Sequence, residues 1–151
     1  MKKIIVIHGP NLNLLGKREP DTYGRVTFDE LNNMLRKAAL KAGVELGIAQ
    51  SNHEGEIVDI IQKADGNFEA IIINPGAYTH TSIAIRDAIA SIGIPTVEVH
   101  ISNIYKREDF RHKSYISEVA VGVISGFGIS GYMLGIRAAL SILKTGKNAN
   151  G

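Results

Sequence analysis

Ile4-Ile5-Val6-Ile7-His8-Gly9-Pro10-Asn11-Leu12-Asn13 is the stretch whose reading decides the fold. Four consecutive β-branched residues without a polar interruption suit a strand covered on both faces, as in a parallel sheet. A half-exposed strand would alternate instead. The run stops at His8-Gly9-Pro10, too short for a membrane span or a secretory leader even with Lys2 and Lys3 before it. A cytoplasmic protein with no membrane partner is the expectation. Similar runs, each nearly continuous in apolar residues, recur at Val44–Ala49, Ala70–Ile73, Thr96–Val99 and Val119–Ile124.

Segments with helical spacing separate these runs. From Thr27 to Ala42, Phe28, Leu31, Leu35, Ala38 and Ala39 form one stripe. Thr27 and Glu30 make a capping box, in which hydroxyl and carboxylate satisfy orphan N–H groups reciprocally. A second helix is predicted over Gly55–Lys63, with Ile57, Ile60, Ile61 and Ala64 inward and Gly66 as its stop. A third covers Ser82–Ile92 and ends at Gly93, with Pro95 beyond. The last runs from Ile129 to Leu143, before a polar tail, Lys144–Gly151, that should fray. Strand and helix alternating with short connections predict an α/β doubly wound sheet with right-handed crossovers. For five parallel strands the flavodoxin-like order 2-1-3-4-5, with helices on both faces, is the expected arrangement.

The 151 residues suit one domain, 1–151, and 44% are hydrophobic, enough for a substantial core. Seventeen Lys+Arg against 15 Asp+Glu leave a charge of +2, too small a surplus to point to nucleic acid. The cationic run Lys106–Lys113 with only 6% aromatics is likewise a poor RNA-binding surface. The absence of cysteine excludes disulfides, thiolate nucleophiles and Cys-type zinc sites. Gly126-Phe127-Gly128-Ile129-Ser130-Gly131 fits the dinucleotide pattern G-x-G-x-x-G, but Ser141–Gly151 carries no acidic residue for the ribose. These glycines read as permitting close helix–sheet packing. With no Walker A lysine, no H-E-x-x-H pair and no acidic cluster after the first strand, neither cofactor nor metal is expected.

In open α/β sheets ligands bind beyond the carboxyl ends of the strands. Here those ends are His8-Gly9-Pro10-Asn11-Leu12-Asn13, Asn74-Pro75-Gly76-Ala77-Tyr78-Thr79-His80 and Glu98-Val99-His100-Ile101-Ser102-Asn103. If the first, third and fourth strands are neighbours, the three segments converge on one crevice. Pro10, Pro75 and Gly76 read as turn formers and His8 as a structural, hydrogen-bonded histidine. His80 and His100 read as functional, and Glu98 shares a strand face with His100 and can orient its imidazole. Two connections, Gly9–Val26 and Ile101–Glu118, are longer than packing requires. Lys17–Arg25, bracketed by Gly16 and Gly24, has the composition of a hinged lid. Lys106–Lys113 would supply cations for an anionic substrate.

Taken together, His8–Gly16, Arg18-Glu19-Pro20, Tyr23-Gly24, Asn74–Ser82, Glu98–Asn103, Arg111–Tyr115 and Gly126–Gly131 resemble type II 3-dehydroquinate dehydratase. The resemblance spans about Ile4 to Leu143. It implies a cofactor-free hydro-lyase of the shikimate pathway, with 3-dehydroquinate as its small-molecule substrate. It also implies a homododecamer, a tetramer of trimers. By this resemblance Tyr23 is the base and Asn11 stabilises an enolate; Arg18, five residues away on the same loop, is the candidate cation for Tyr23, with Arg111 as a second contributor. His100 would be the acid, aligned by Glu98. Asn74, Ile101 and Ser102 would hold the substrate carboxylate, and His80 and Arg111 its ring hydroxyls. Asp87 would reach a neighbouring subunit's site. An ordinary phenol is protonated at neutral pH, so a tyrosine base requires cations beside it. The alternative is a non-catalytic flavodoxin-like module binding a nucleotide or flavin, which would leave Tyr23 and the Glu98–His100 pair without a role.

Overall fold

A computed structural model describes residues 1–146; the distal part of the expected fraying tail, 147–151, lies outside the described residues. Five strands, β1 (Lys2–His8), β2 (Val44–Gln50), β3 (Ala70–Asn74), β4 (Thr96–His100) and β5 (Gly122–Ser125), pair in parallel in the order β2-β1-β3-β4-β5. The order is the one expected for a flavodoxin-like sheet. Five helices accompany them: α1 (Pro20–Tyr23), α2 (Phe28–Ala42), α3 (Glu54–Ala64), α4 (Ile83–Ser91) and α5 (Ser130–Thr145). Among the described residues no helix is long and apolar enough to cross a membrane.

The apolar runs fill two core layers because successive side chains of a strand point to opposite faces. Ile4, Val6, Ile72, Val97 and Val99 pack with Leu31 and Leu35 of α2 and Tyr132 and Ile136 of α5. Ile5, Ile7, Ile71 and Ile73 pack on the other side with Ile57 and Ile61 of α3 and Ile85 and Ile89 of α4. Local signals set the helix starts. The capping box is present at α2, with Thr27 Oγ1 accepting from Glu30 N at 3.1 Å and Glu30 Oε2 accepting from Thr27 N at 3.0 Å. Ser82 caps α4 through Ile85 N.

Three expectations require correction. Coverage on both faces holds for β3 and β4, which are buried throughout, and for all of β1 after its first two lysines; the edge strands β2 and β5 are largely half-exposed or exposed. The fifth strand starts at Gly122, not Val119. Ser114 Oγ draws in the N–H groups of Ile116 and Ser117, and Ile116 O then accepts from Val119 and Ala120, so the chain turns there. β-branched composition does not distinguish that turn from a strand. Of the glycines in Gly126–Gly131, only Gly131 faces the sheet, against Val99 and Ile124; Gly126 and Gly128 serve the preceding turn with φ of 98° and 60°.

His8, at the end of β1, is fully buried and bonds Asn32 of α2 and Tyr132 of α5, the structural role expected of it. Burial pushes its imidazole down to about 4 from an ordinary 6.5, and the Asn32 hydrogen bond offsets this only in part. The unfolded chain therefore takes up this proton before the folded one does. Stability is expected to fall by about 3 kcal/mol as pH drops from 6.5 to 4. Denaturant unfolding across that window, compared with His8→Asn, measures it; an unchanged slope in the variant would assign the loss elsewhere.

Candidate active site

The carboxyl ends of β1, β3 and β4 do converge. One cleft is lined by Asn11 after β1, Asn74 at the end of β3 with His80 after it, and His100 at the end of β4 with Ile101 and Ser102 after it. Arg18 and Tyr23 enter it from the long segment before α2, and Arg107 and Arg111 from the segment after β4. The floor is tight: Gly9 N donates to Asn74 O at 2.7 Å, and a Cβ on Gly9 would stand 2.5 Å from the Pro75 carbonyl. Gly9 is thus required for the first and third strand ends to meet.

The lid segment is ordered around α1, a short helical turn inside what sequence alone reads as loop. Gly16 and Gly24, with φ of 88° and 83°, bracket it, in the left-handed region where glycine is unstrained. Tyr23 packs its ring on the core, and its oxygen accepts from Arg107 Nη1 at 2.8 Å. The guanidinium carbons of Arg18 and Arg107 lie 5.1 and 5.4 Å from the ring centroid. The second cation on Tyr23 is therefore Arg107 and not Arg111. Arg111 lines the cleft, but its Nε donates to Glu108 at 2.8 Å. The Lys106–Lys113 run was the available signal for Arg107. Which of its cations faces Tyr23 depends on how residues 104–111 coil into two short 3-10 turns.

Glu98 is fully buried in β4 and hydrogen-bonded to Nε2 of His100, two residues along the same strand face. Its carboxylate also accepts from Thr79 Oγ1 at 3.3 Å, Ser114 Oγ at 2.9 Å and Ser117 Oγ at 2.8 Å. Burial pushes this carboxyl up, but the His100 contact and the serine hydroxyls together outweigh it and hold it below the usual carboxylate range. A stable anion thus sits behind an imidazole whose Nδ1 remains for the cleft. Thr79 and Ser114 lie in stretches that the sequence marks out, but nothing in the sequence shows that they and Ser117 converge on Glu98.

The remaining candidates divide. Asn11 holds a left-handed backbone (φ 68°), its N–H donating to Asn52 Oδ1 at 3.0 Å. His80 Nδ1 donates to the Lys113 carbonyl at 2.7 Å, which leaves Nε2 as an acceptor. Its imidazole is lowered by burial, opposed by the Lys113 hydrogen bond and helped by His100 and Arg111. Asp87 stands apart on α4, exposed and paired with Arg86 at 2.9 Å, outside this cleft.

The cleft thus combines a phenol under two guanidiniums, an imidazole backed by a buried carboxylate, and neutral amide donors. That is equipment for removing a proton at one point of a small polar molecule and delivering one at another. Residues 2–140 match the family described as Dehydroquinase class II. The 3-dehydroquinate dehydratase of Nostoc sp. is 59% identical over 141 residues, 93% of this chain and 96% of that protein. Among solved structures, the type II dehydroquinase from Butyrivibrio crossotus superposes with a TM-score of 0.90 at 49% identity, covering 91% of this chain and 97% of its own. That from Propionibacterium acnes gives 0.88 at 41% identity, covering 96% and 97%. These relationships favour an enzyme over the flavin- or nucleotide-binding module.

Proposed function

Since this chain belongs to the dehydroquinase class II family, we propose that it catalyses the reversible trans-dehydration of 3-dehydroquinate to 3-dehydroshikimate through an enolate. The observation that carries the reading is the Tyr23–Arg107 contact, 2.8 Å, in the same cleft as the Glu98-backed His100. Elimination of water from a β-hydroxy ketone needs a base for the α-proton, stabilisation of the enolate, and an acid for the departing hydroxyl. Tyr23 takes the proton as phenolate, with Arg107 hydrogen-bonded to its oxygen and Arg18 placed against its ring. Asn11 donates to the enolate oxygen through water, a neutral donor that adds no buried charge. His100 gives its proton to the leaving hydroxyl, and the Glu98 carboxylate holds the imidazolium beforehand. Water leaves, and proton exchange with solvent restores both groups.

Asn74, the Ile101 and Ser102 backbone amides and the Ser102 hydroxyl receive the carboxylate. His80 and Arg111 bind ring hydroxyls, and Asp87 serves the cleft of a neighbouring subunit. The reading extends to residues 1–151 as one catalytic domain, a shikimate-pathway role toward aromatic amino acids and chorismate, a cytoplasmic location, and a homododecamer of four trimers. Catalysis needs no metal or cofactor in this scheme. Ultraviolet absorbance of the conjugated enone should appear when the protein meets 3-dehydroquinate; folded protein that produces none would overturn the reading.

Glu98→Gln tests the acid. The amide keeps the shape but removes the anion, so kcat is expected to fall about a hundredfold with little change in KM. An unchanged kcat would show that His100 needs no carboxylate behind it.

A further inference from the structure

Behind the cleft, a line of hydrogen-bonded polar side chains runs from Asn74 into the core between α2 and α5. Asn74 Nδ2 donates to Tyr132 Oη at 2.9 Å, Tyr132 Oη lies 3.2 Å from His8 Nδ1, and His8 Nε2 lies 3.0 Å from Asn32 Oδ1. At its cleft end Asn74 Oδ1 accepts from Gly76 N at 3.1 Å. All four side chains are buried. None is a helix cap, and no step of the reaction above uses His8, Asn32 or Tyr132.

The chain has a single consistent direction. The Asn32 oxygen only accepts, so His8 carries its proton on Nε2 and presents a lone pair at Nδ1. Tyr132 has one proton and gives it to that lone pair, so its oxygen is free to accept from Asn74. Burial supports this arrangement, pushing the His8 imidazole down to about 4 and the Tyr132 hydroxyl up, which keeps both neutral. A primary amide can turn end for end at almost no steric cost. Here the turned amide would set its oxygen against the Tyr132 oxygen, whose proton is engaged, and its NH2 against the Gly76 N–H. Both contacts would be lost.

We infer that Tyr132, His8 and Asn32 are positioning residues that hold the Asn74 amide nitrogen-inward, so that its second N–H is the group offered to the substrate carboxylate. The inference rests on the proposal that Asn74 binds that carboxylate, and it explains why a neutral asparagine can do so with a defined polarity. The carboxylate stands on the carbon that loses its hydroxyl, but it keeps its charge and its own bonds throughout the elimination, so its hydrogen bonds contribute about equally to ground state and transition state. Losing the orientation raises KM and spares kcat.

Steady-state kinetics on 3-dehydroquinate with Tyr132→Phe, Asn74→Ala and the double variant test this. Tyr132→Phe keeps the buried ring and removes only the hydroxyl. KM is expected to rise about tenfold with kcat within about threefold of wild type. Asn74→Ala should raise KM at least as much, and the double variant should be no worse than Asn74→Ala, because the effect of Tyr132 passes through Asn74. A raised KM in Asn74→Ala with none in Tyr132→Phe overturns the inference and leaves Asn74 as a ligand. Additive losses, or a loss confined to kcat, overturn it as well. An unchanged KM in Asn74→Ala removes the carboxylate reading itself. Independently of how Tyr132→Phe folds, nitrogen-15 spectra of the wild-type histidines at neutral pH should show His8 neutral and protonated on Nε2. A proton on Nδ1 would overturn the inference.

Discussion

Tyr23→Phe is expected to lower kcat for the dehydration of 3-dehydroquinate by about four orders of magnitude, with KM changed no more than about threefold. The substitution is narrow. The ring keeps its packing on the core and its contacts with the Arg18 and Arg107 guanidiniums. What disappears is the oxygen that accepts from Arg107 and, in the proposed mechanism, the α-proton. A general base contributes about two to four orders of magnitude, and a cofactor-free elimination has no second route to the enolate. Appearance of the enone, followed for both proteins in parallel, measures the loss. Comparable activity in the variant would keep the reaction and move the base elsewhere, to a water beside Asn11.

Arg107→Ala is expected to cost about a thousandfold in kcat, with KM much less affected. Its Nη1 is the hydrogen bond to the Tyr23 oxygen, and the same nitrogen reaches Ser102 Oγ at 3.4 Å. Arg18 contributes only a contact with the ring and lies 4.0 Å from the Glu19 carboxylate, so it is a weak substitute. Guanidinium added to the Arg107→Ala enzyme should restore part of the rate. Arg107→Lys should restore less than the wild-type side chain, because a compact, strongly hydrated ammonium lacks the planar guanidinium that lies against the Tyr23 ring while its Nη1 bonds the Tyr23 oxygen. Arg111→Ala, by contrast, should act mainly on KM. A full rate in Arg107→Ala with a collapse in Arg111→Ala would return the cation to the position that sequence reasoning assigned it.

The distance in sequence between partners separates what was legible from what was not. Strands β1, β3 and β4 are written in their own residues, as apolar runs too continuous for a half-exposed sheet. The α2 and α4 starts are written at Thr27, Glu30 and Ser82, where each cap lies within three residues of its partner. Glu98 and His100 are two apart on one strand, so a period of two already places them side by side. The strand-end motifs disclosed the cleft because the parallel sheet brings the ends of β1, β3 and β4 together.

Val119–Val121 shows the opposite case. Its composition suits a strand, but buried Ile116 and the Ser114 hydroxyl impose a turn. The hydroxyls around Glu98 come from 16 to 19 residues away, and serine and threonine are too common to mark such a role.

By itself, then, the sequence determined the strand and helix order, the cleft-facing residues at three strand ends, and the pairing of Glu98 with His100, because each depends on near neighbours or on a fixed repeat. Only the tertiary structure decided that Arg107 holds Tyr23, 84 residues away, and that Asn74 is anchored through Tyr132, 58 residues away, to His8 and Asn32. A hydrogen bond needs its partner within about 3 Å and in one direction. Chemically equivalent side chains compete for that place, and the packed backbone selects among them.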